Sequence, residues 1–237
     1  MKVLVLVPAR DEACSLPEVV RLLRAALPEA SILVVDDAST DGTHNLLPAL
    51  GVDWLRMCVH TGIGGAVRVG LKYALQRGYD AVVRVDGDGQ HPADQVGRVL
   101  APVLAGEGDA VIGSRYRQVA GYRAPGWRRA AQHGVAAWVS AATGWRVSDP
   151  TSGFWAFGPR AVRFLAEHHP AGYPEPELLL LLSHNRLRVV EVPIEMRART
   201  TGSTSLTPAR LGLVAARTAL ALLVLPLTRR VADAVDD

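Results

Sequence analysis

The sequence predicts an α/β fold with a mostly parallel sheet, and three features lead there. Short Val-rich runs without polar alternation recur through the first half, helix-length amphipathic segments separate most of them, and polar clusters follow the runs at one end. That alternation is the pattern of helices covering both faces of a parallel sheet. With 237 residues, 49% hydrophobic and 21% charged, the chain can bury one good-sized core, so a single large domain is expected.

Residues 3–7, 32–35, 81–85 and 110–112 read as strands. The first helix follows Ser15-Leu16-Pro17-Glu18, a capping box whose Ser and Glu side chains can satisfy free backbone N–H groups, and Pro28 closes it. A second helix spans 63–77, with Ile63, Ala66, Val67, Gly70, Leu71 and Ala74 on one face, and stops at Gly78. A third starts at Pro92, a favoured first-turn residue, and carries Val96, Val99, Leu100 and Val103 before Gly106. No repeat, low-complexity tract or long linker divides the chain.

A formal net charge of +3 and an isoelectric point near 9.1 are mildly basic, with arginines concentrated after residue 110. No basic stripe interleaved with aromatics is present, so an anionic small ligand or a membrane surface is expected and nucleic acid is not. Cys14 and Cys58 lack metal-type spacing, which suits a reduced cytosolic compartment. The opening MKVLVLVPARDE is too short in its apolar part for a signal peptide and reads as a first core strand.

Ala9-Arg10-Asp11-Glu12, Asp36-Asp37-Ala38-Ser39 and Asp86-Gly87-Asp88 each follow the C-terminal end of a predicted strand, where open parallel sheets bind ligands. Asp86 and Asp88 repel unless something positive lies between them. A divalent cation, Mg²⁺ or Mn²⁺, supplies that charge with the hard oxygen ligands it prefers, and Gly87 lets the backbone approach it. An isolated Asp-x-Asp can equally be a surface turn.

The motifs VPARDE at 7–12, VDDASTDGT at 35–43, HTGIGGAVRVGLKYA at 60–74, DGDGQHP at 86–92, GSRY at 113–116 and DPTSGFWAF at 149–157 resemble, in this order, family 2 glycosyltransferases. The resemblance is to the branch of dolichyl- and polyprenyl-phosphate sugar synthases. It implies a Rossmann-like GT-A fold, a nucleotide-sugar donor and inversion at the anomeric carbon. Matched residue by residue, it implies that Pro8, Ala9, Arg10 and Glu12 line the base and ribose pocket, with Asp37 touching the nucleoside and Gly64 in the glycine-rich segment beside it. Asp86 and Asp88 become the metal pair, Asp88 as the more direct ligand with Gln90 nearby, and Arg115 meets phosphate or stands as a surface arginine. A donor half extends to about residue 115 and an acceptor half follows.

A polyprenyl-phosphate acceptor is already ionised and needs cations but no base. Arg115, Arg117, Arg123, Arg128 and Arg129 are the candidates. A saccharide hydroxyl would need a base, for which Asp149, Glu175 and Glu177 are available, with Pro174 and Pro176 stiffening the loop around Glu175. Asp149 can alternatively cap the turn that follows it. A third reading, a non-catalytic nucleotide-sugar-binding subunit, sits poorly with the intact acidic pair.

Three positions depart from the family pattern: His60 stands where Asn is common, Trp155 where Arg is frequent, and Thr204 replaces Ser in the 199–205 loop. His60 reads as a loop hydrogen-bonding residue, Trp155 as a stacking face for a sugar or prenyl chain, and Arg199 as a contact to diphosphate. His91, just before Pro92, reads as a structural residue at the helix start.

Residues 1–207 are expected to form the catalytic domain and 208–237 a C-terminal helix. The run LGLVAARTALALLVLPL at 211–227 barely reaches spanning length and is interrupted by Arg217 and Pro226. With Arg210, Arg229 and Arg230 beside it, it suits a helix lying in a membrane interface or docked on a small membrane partner protein, and an ordinary helix packed on the enzyme or on a second copy is the alternative. The expected location is peripheral, at the cytoplasmic face of the membrane. A homodimer is left open.

Overall fold

The computed structural model describes residues 1–116, 126–170 and 175–196, without the side chains of 126–131. β1 (Val3–Ala9), α1 (Leu16–Ala26), β2 (Ser31–Asp36), the short α2 (Thr43–Leu46) with its 3₁₀ continuation, and the edge strand β3 (Asp53–Arg56) open the chain. α3 (Ile63–Gln76), β4 (Ala81–Arg84), α4 (Val96–Leu104) and β5 (Ala110–Ser114) follow. α5 (Gly126–Thr143), β6 (Trp155–Phe157), α6 (Pro159–His168), α7 (Glu175–His184) and β7 (Val189–Pro193) complete the described part.

The strands form one sheet in the order β3-β2-β1-β4-β6-β5-β7, parallel except for β6, which runs antiparallel to both β4 and β5. Alternate side chains of β1 enter two separate cores. Leu4 and Leu6 join the side covered by α3, α6 and α7, while Val5 and Val7 join the side covered by α1 and α4. Both faces are therefore buried, which is why these strands lack polar alternation; each enclosed Val or Leu contributes about 1.5–3 kcal/mol.

The four predicted strands and the helical faces are present, and the mostly parallel sheet is as expected. Three strands were not expected: β3 exposes Asp53, Trp54 and Arg56, β6 spans three residues inside a polar motif, and β7 is half-buried along its length. The capping box does not form. Ser15 Oγ instead donates to Glu12 Oε2 at 2.6 Å, and Glu18 pairs with Arg21 on the exposed face. The helix expected from Pro92 begins as a 3₁₀ turn at Ala93–Gln95 and becomes α-helical at Val96.

Trp155 is not a stacking face. It is fully buried, stacks on Phe157 and donates its indole N–H to the Ser152 carbonyl at 2.7 Å. Among the described residues no helix is long and apolar enough to cross a membrane. The segment 208–237, expected to be helical, the 199–205 segment with Arg199, and Arg117, Arg123 and Pro174 lie outside the described residues, as do the side chains of Arg128 and Arg129.

Candidate active site

The register Ala9↔Asp36 brings the ends of β1 and β2 side by side, and the loops beyond them are stitched together. The Asp11 N–H donates to Ser39 Oγ, Glu12 N–H to Thr43 Oγ1 and Ala13 N–H to Asp41 Oδ2, all within 3.0 Å. Asp11, at φ +55°, returns the favour by accepting from the Thr40 N–H at 2.7 Å, and that bond holds its carboxyl below the usual range. Arg10 is exposed and lies 3.5 Å from Asp11.

The Asp37 N–H donates to the Ala9 carbonyl at 2.9 Å. Its buried carboxylate accepts from His60 Nδ1 at 2.7 Å and from the Thr61 and Gly62 N–H groups at 2.8 Å each. Asp37 thus fixes the loop that starts α3, where Gly64 is buried, and His60 is the loop hydrogen-bonding residue expected.

The Asp86-Gly87-Asp88 turn packs against the first loop. A Cβ built on Gly87 would lie 3.4 Å from the Ala9 Cβ, 3.4 Å from the Pro8 carbonyl and 3.6 Å from Glu12 Cγ. The backbone needs that glycine to pass so close. Asp88 Oδ1 accepts from the Gln90 N–H at 3.0 Å, and the Asp86 N–H donates to His91 Nδ1 at 3.0 Å. His91 is buried against Phe154, and burial pushes its pKa down, so it is a neutral structural acceptor.

Arg84, the last residue of β4, is 2% exposed. Its Nε lies 3.0 Å from Asp86 Oδ1 and its Nη1 3.0 Å from Glu175 Oε1. Burial opposes the charge on Arg84, but Asp86 and Glu175 hold the guanidinium protonated. Burial pushes the Glu175 carboxyl up even against Arg84. Arg84 thus brings positive charge to Asp86 from within the chain, a partner distinct from the divalent cation expected between Asp86 and Asp88. The sequence reading missed Arg84; the signal that could have found it is a charge inside the apolar run AVVRV, because buried arginines are almost always paired.

A second cluster lies at the end of β5. Arg115 binds Asp149 with two nitrogens at 2.7 Å each, its own N–H reaches Asp149 Oδ2 at 3.1 Å, and Nη2 also donates to Thr151 Oγ1 at 2.9 Å. Asp149 is fully buried and anchors Arg115, so its side chain does more than shape a turn. Glu191 of β7 holds the same loop by accepting from the Ser148 and Asp149 N–H groups at 3.0 Å each. Glu191, Ser148 and Thr151 carried no sequence signal beyond their place in or opposite the DPTSGF motif. Glu177 lies on the first turn of α7, half-buried.

The geometry thus joins Pro8, Ala9, Glu12 and Gly87, joins Asp86 with Glu175 through Arg84, and joins Arg115 with Asp149. Among the described residues no group of three His, Cys, Asp or Glu side chains could hold a metal alone. Two carboxylates on one tight turn suit Mg²⁺ or Mn²⁺ when substrate phosphates complete the shell, so the donor set fits such an ion.

The sequence profile described as Glycosyl transferase family 2 matches residues 4–166. An undecaprenyl-phosphate mannosyltransferase of Micrococcus luteus is 32% identical over 87% of this chain and 88% of its own length. A polyprenol monophosphomannose synthase of Mycolicibacterium smegmatis is 33% identical, over 85% of this chain and 79% of its own. A UDP-N-acetylglucosamine–dolichyl-phosphate N-acetylglucosaminyltransferase of Methanococcus voltae is 29% identical, over 80% and 83%. In fold, glucosyl-3-phosphoglycerate synthase of Mycobacterium tuberculosis, solved with Mn²⁺ and UDP, superposes with a TM-score of 0.70 at 22% identity, covering 94% of this chain and 79% of that one. Ordered motifs, sheet topology and near full-length similarity agree: the chain is a glycosyltransferase and belongs to glycosyl transferase family 2.

Proposed function

We propose that the enzyme moves a sugar from a nucleotide-sugar donor to a polyprenyl phosphate, with inversion. The observation that carries this reading is the near full-length similarity to relatives that differ in sugar, mannose or N-acetylglucosamine, yet share a lipid phosphate in their names. Chemistry common to divergent relatives is the part most safely carried across.

In this reading the 8–12 loop, with Pro8, Ala9, Arg10 and Glu12, forms the nucleoside pocket together with Asp37 and the loop around Gly64. Asp86 and Asp88 hold Mg²⁺ or Mn²⁺, with Gln90 fixing Asp88 through its backbone N–H. The bound ion supplies positive charge to the diphosphate leaving group. Arg115, kept in place by Asp149, presents its guanidinium to phosphate.

The acceptor oxygen is ionised at neutral pH, so no side chain has to remove a proton. Asp149 and Glu175, two of the three candidate bases, are each paired with an arginine, which favours a phosphate over a hydroxyl acceptor. The lipid acceptor, and the arginines flanking the apolar run at 211–227, support a peripheral place at the cytoplasmic membrane face, with 208–237 in the interface or on a membrane partner.

The test is transfer of labelled sugar from a panel of UDP- and GDP-sugars into an organic-extractable product, with undecaprenyl phosphate and Mn²⁺ or Mg²⁺. Label should enter the lipid phase with the wild type and not with Asp88→Ala. Donor binding without lipid label would defeat the reading.

A further inference from the structure

We propose that Arg84 is a positioning residue that sets Asp86 for the metal–diphosphate site. The inference rests on the metal reading above and adds a residue that the motif pattern leaves unassigned. Arg84 spans two carboxylates with two different nitrogens, Nε to Asp86 and Nη1 to Glu175, both at 3.0 Å. Stability alone gives no reason for it. A buried ion pair gains little over apolar packing, and the flanking AVV and Val85 show that an aliphatic residue would suit the strand.

What the pair does achieve is alignment. With Oδ1 of Asp86 anchored, the carboxylate cannot turn freely, and a quarter of the Asp86 side chain remains exposed. Gly153 closes the other side: a Cβ there would fall 2.9 Å from Arg84 Nη2 and 3.0 Å from Asp86 Oδ2. Asp86 is therefore held between a fixed cation and a backbone wall before any ligand arrives. A carboxylate oriented in advance binds a metal more tightly, because less freedom is lost. Glu175 fixes the far end of the guanidinium from the first turn of α7, so the acceptor half takes part in aligning the donor half's carboxylate. Only a planar fork can meet both carboxylates; a lysine ammonium keeps the charge and loses the geometry.

The experiment measures Mn²⁺ binding by electron paramagnetic resonance in the presence of UDP or GDP, on the full chain, for wild type, Arg84→Lys, Glu175→Gln and Asp88→Ala. Metal-free nucleotide affinity and circular dichroism serve as controls. Arg84→Lys should keep its fold and metal-free nucleotide affinity while binding Mn²⁺ about 10–100-fold more weakly, the usual effect of losing a group that orients a ligand. Glu175→Gln should weaken Mn²⁺ binding in the same direction, and it decides the matter if Arg84→Lys does not fold. Wild-type Mn²⁺ affinity in the deciding variant overturns the role of Arg84 alone. A wild type that binds Mn²⁺ no better than Asp88→Ala overturns the metal reading, and this inference with it.

Discussion

His169, just after α6, is 3% exposed, and its protonation should make the fold acid-sensitive in a way one substitution can reveal. Burial is the main cause that lowers its pKa from 6.5 to about 3; the positive charge of Arg84 adds to it, and the Pro170 carbonyl, 3.0 Å from Nδ1, works the other way. Between those two values the unfolded chain binds the proton and the folded chain does not, so stability rises with pH across that window. Stability from this group is complete above 6.5 and falls by about 1.4 kcal/mol for each pH unit below it, or about 2 kcal/mol at pH 5. His169→Gln keeps a polar side chain there and removes the titration. Urea unfolding at pH 7 and pH 5 should show the wild type losing about 2 kcal/mol more than the variant over that interval. Parallel losses in the two proteins would refute the assignment of a buried neutral His169.

Gly153→Ala places a methyl group at 2.9 Å from Arg84 Nη2 and 3.0 Å from Asp86 Oδ2; steady-state assays should show sugar transfer reduced by roughly 10–100-fold through displacement of the pair. Trp155→Ala removes a fully buried ring and should destabilise the protein by about 3–5 kcal/mol in denaturant titration. Asp37→Asn weakens the hold on His60, Thr61 and Gly62, and calorimetry should find nucleoside diphosphate affinity lowered by roughly tenfold, the loss of about one charge-assisted hydrogen bond.

What the sequence made legible follows from its periodicities. β1, β2, β4 and β5 are covered on both faces, so each reads as an unbroken apolar run. β3 and β7 are edge strands with partial exposure, and β6 is too short for any period to register. The site loops at 9–12, 36–39 and 86–88 were readable because each follows a strand end, but their internal wiring was not. Ser15 abandons its capping role for Glu12, which a spacing rule cannot foresee, since the competing partner comes from loop geometry. Arg84 and Glu175 are 91 residues apart, and only the fold brings them together.

The most direct test of the central claim, an ionised lipid phosphate as the acceptor, compares undecaprenyl phosphate with undecaprenol under identical donor and Mn²⁺ conditions. The account predicts label in the phosphorylated lipid and none above the Asp88→Ala background in the alcohol, because the described site keeps Asp149 and Glu175 engaged with arginines. Equal transfer to the free alcohol would contradict it and would require a base among Asp149, Glu175 and Glu177.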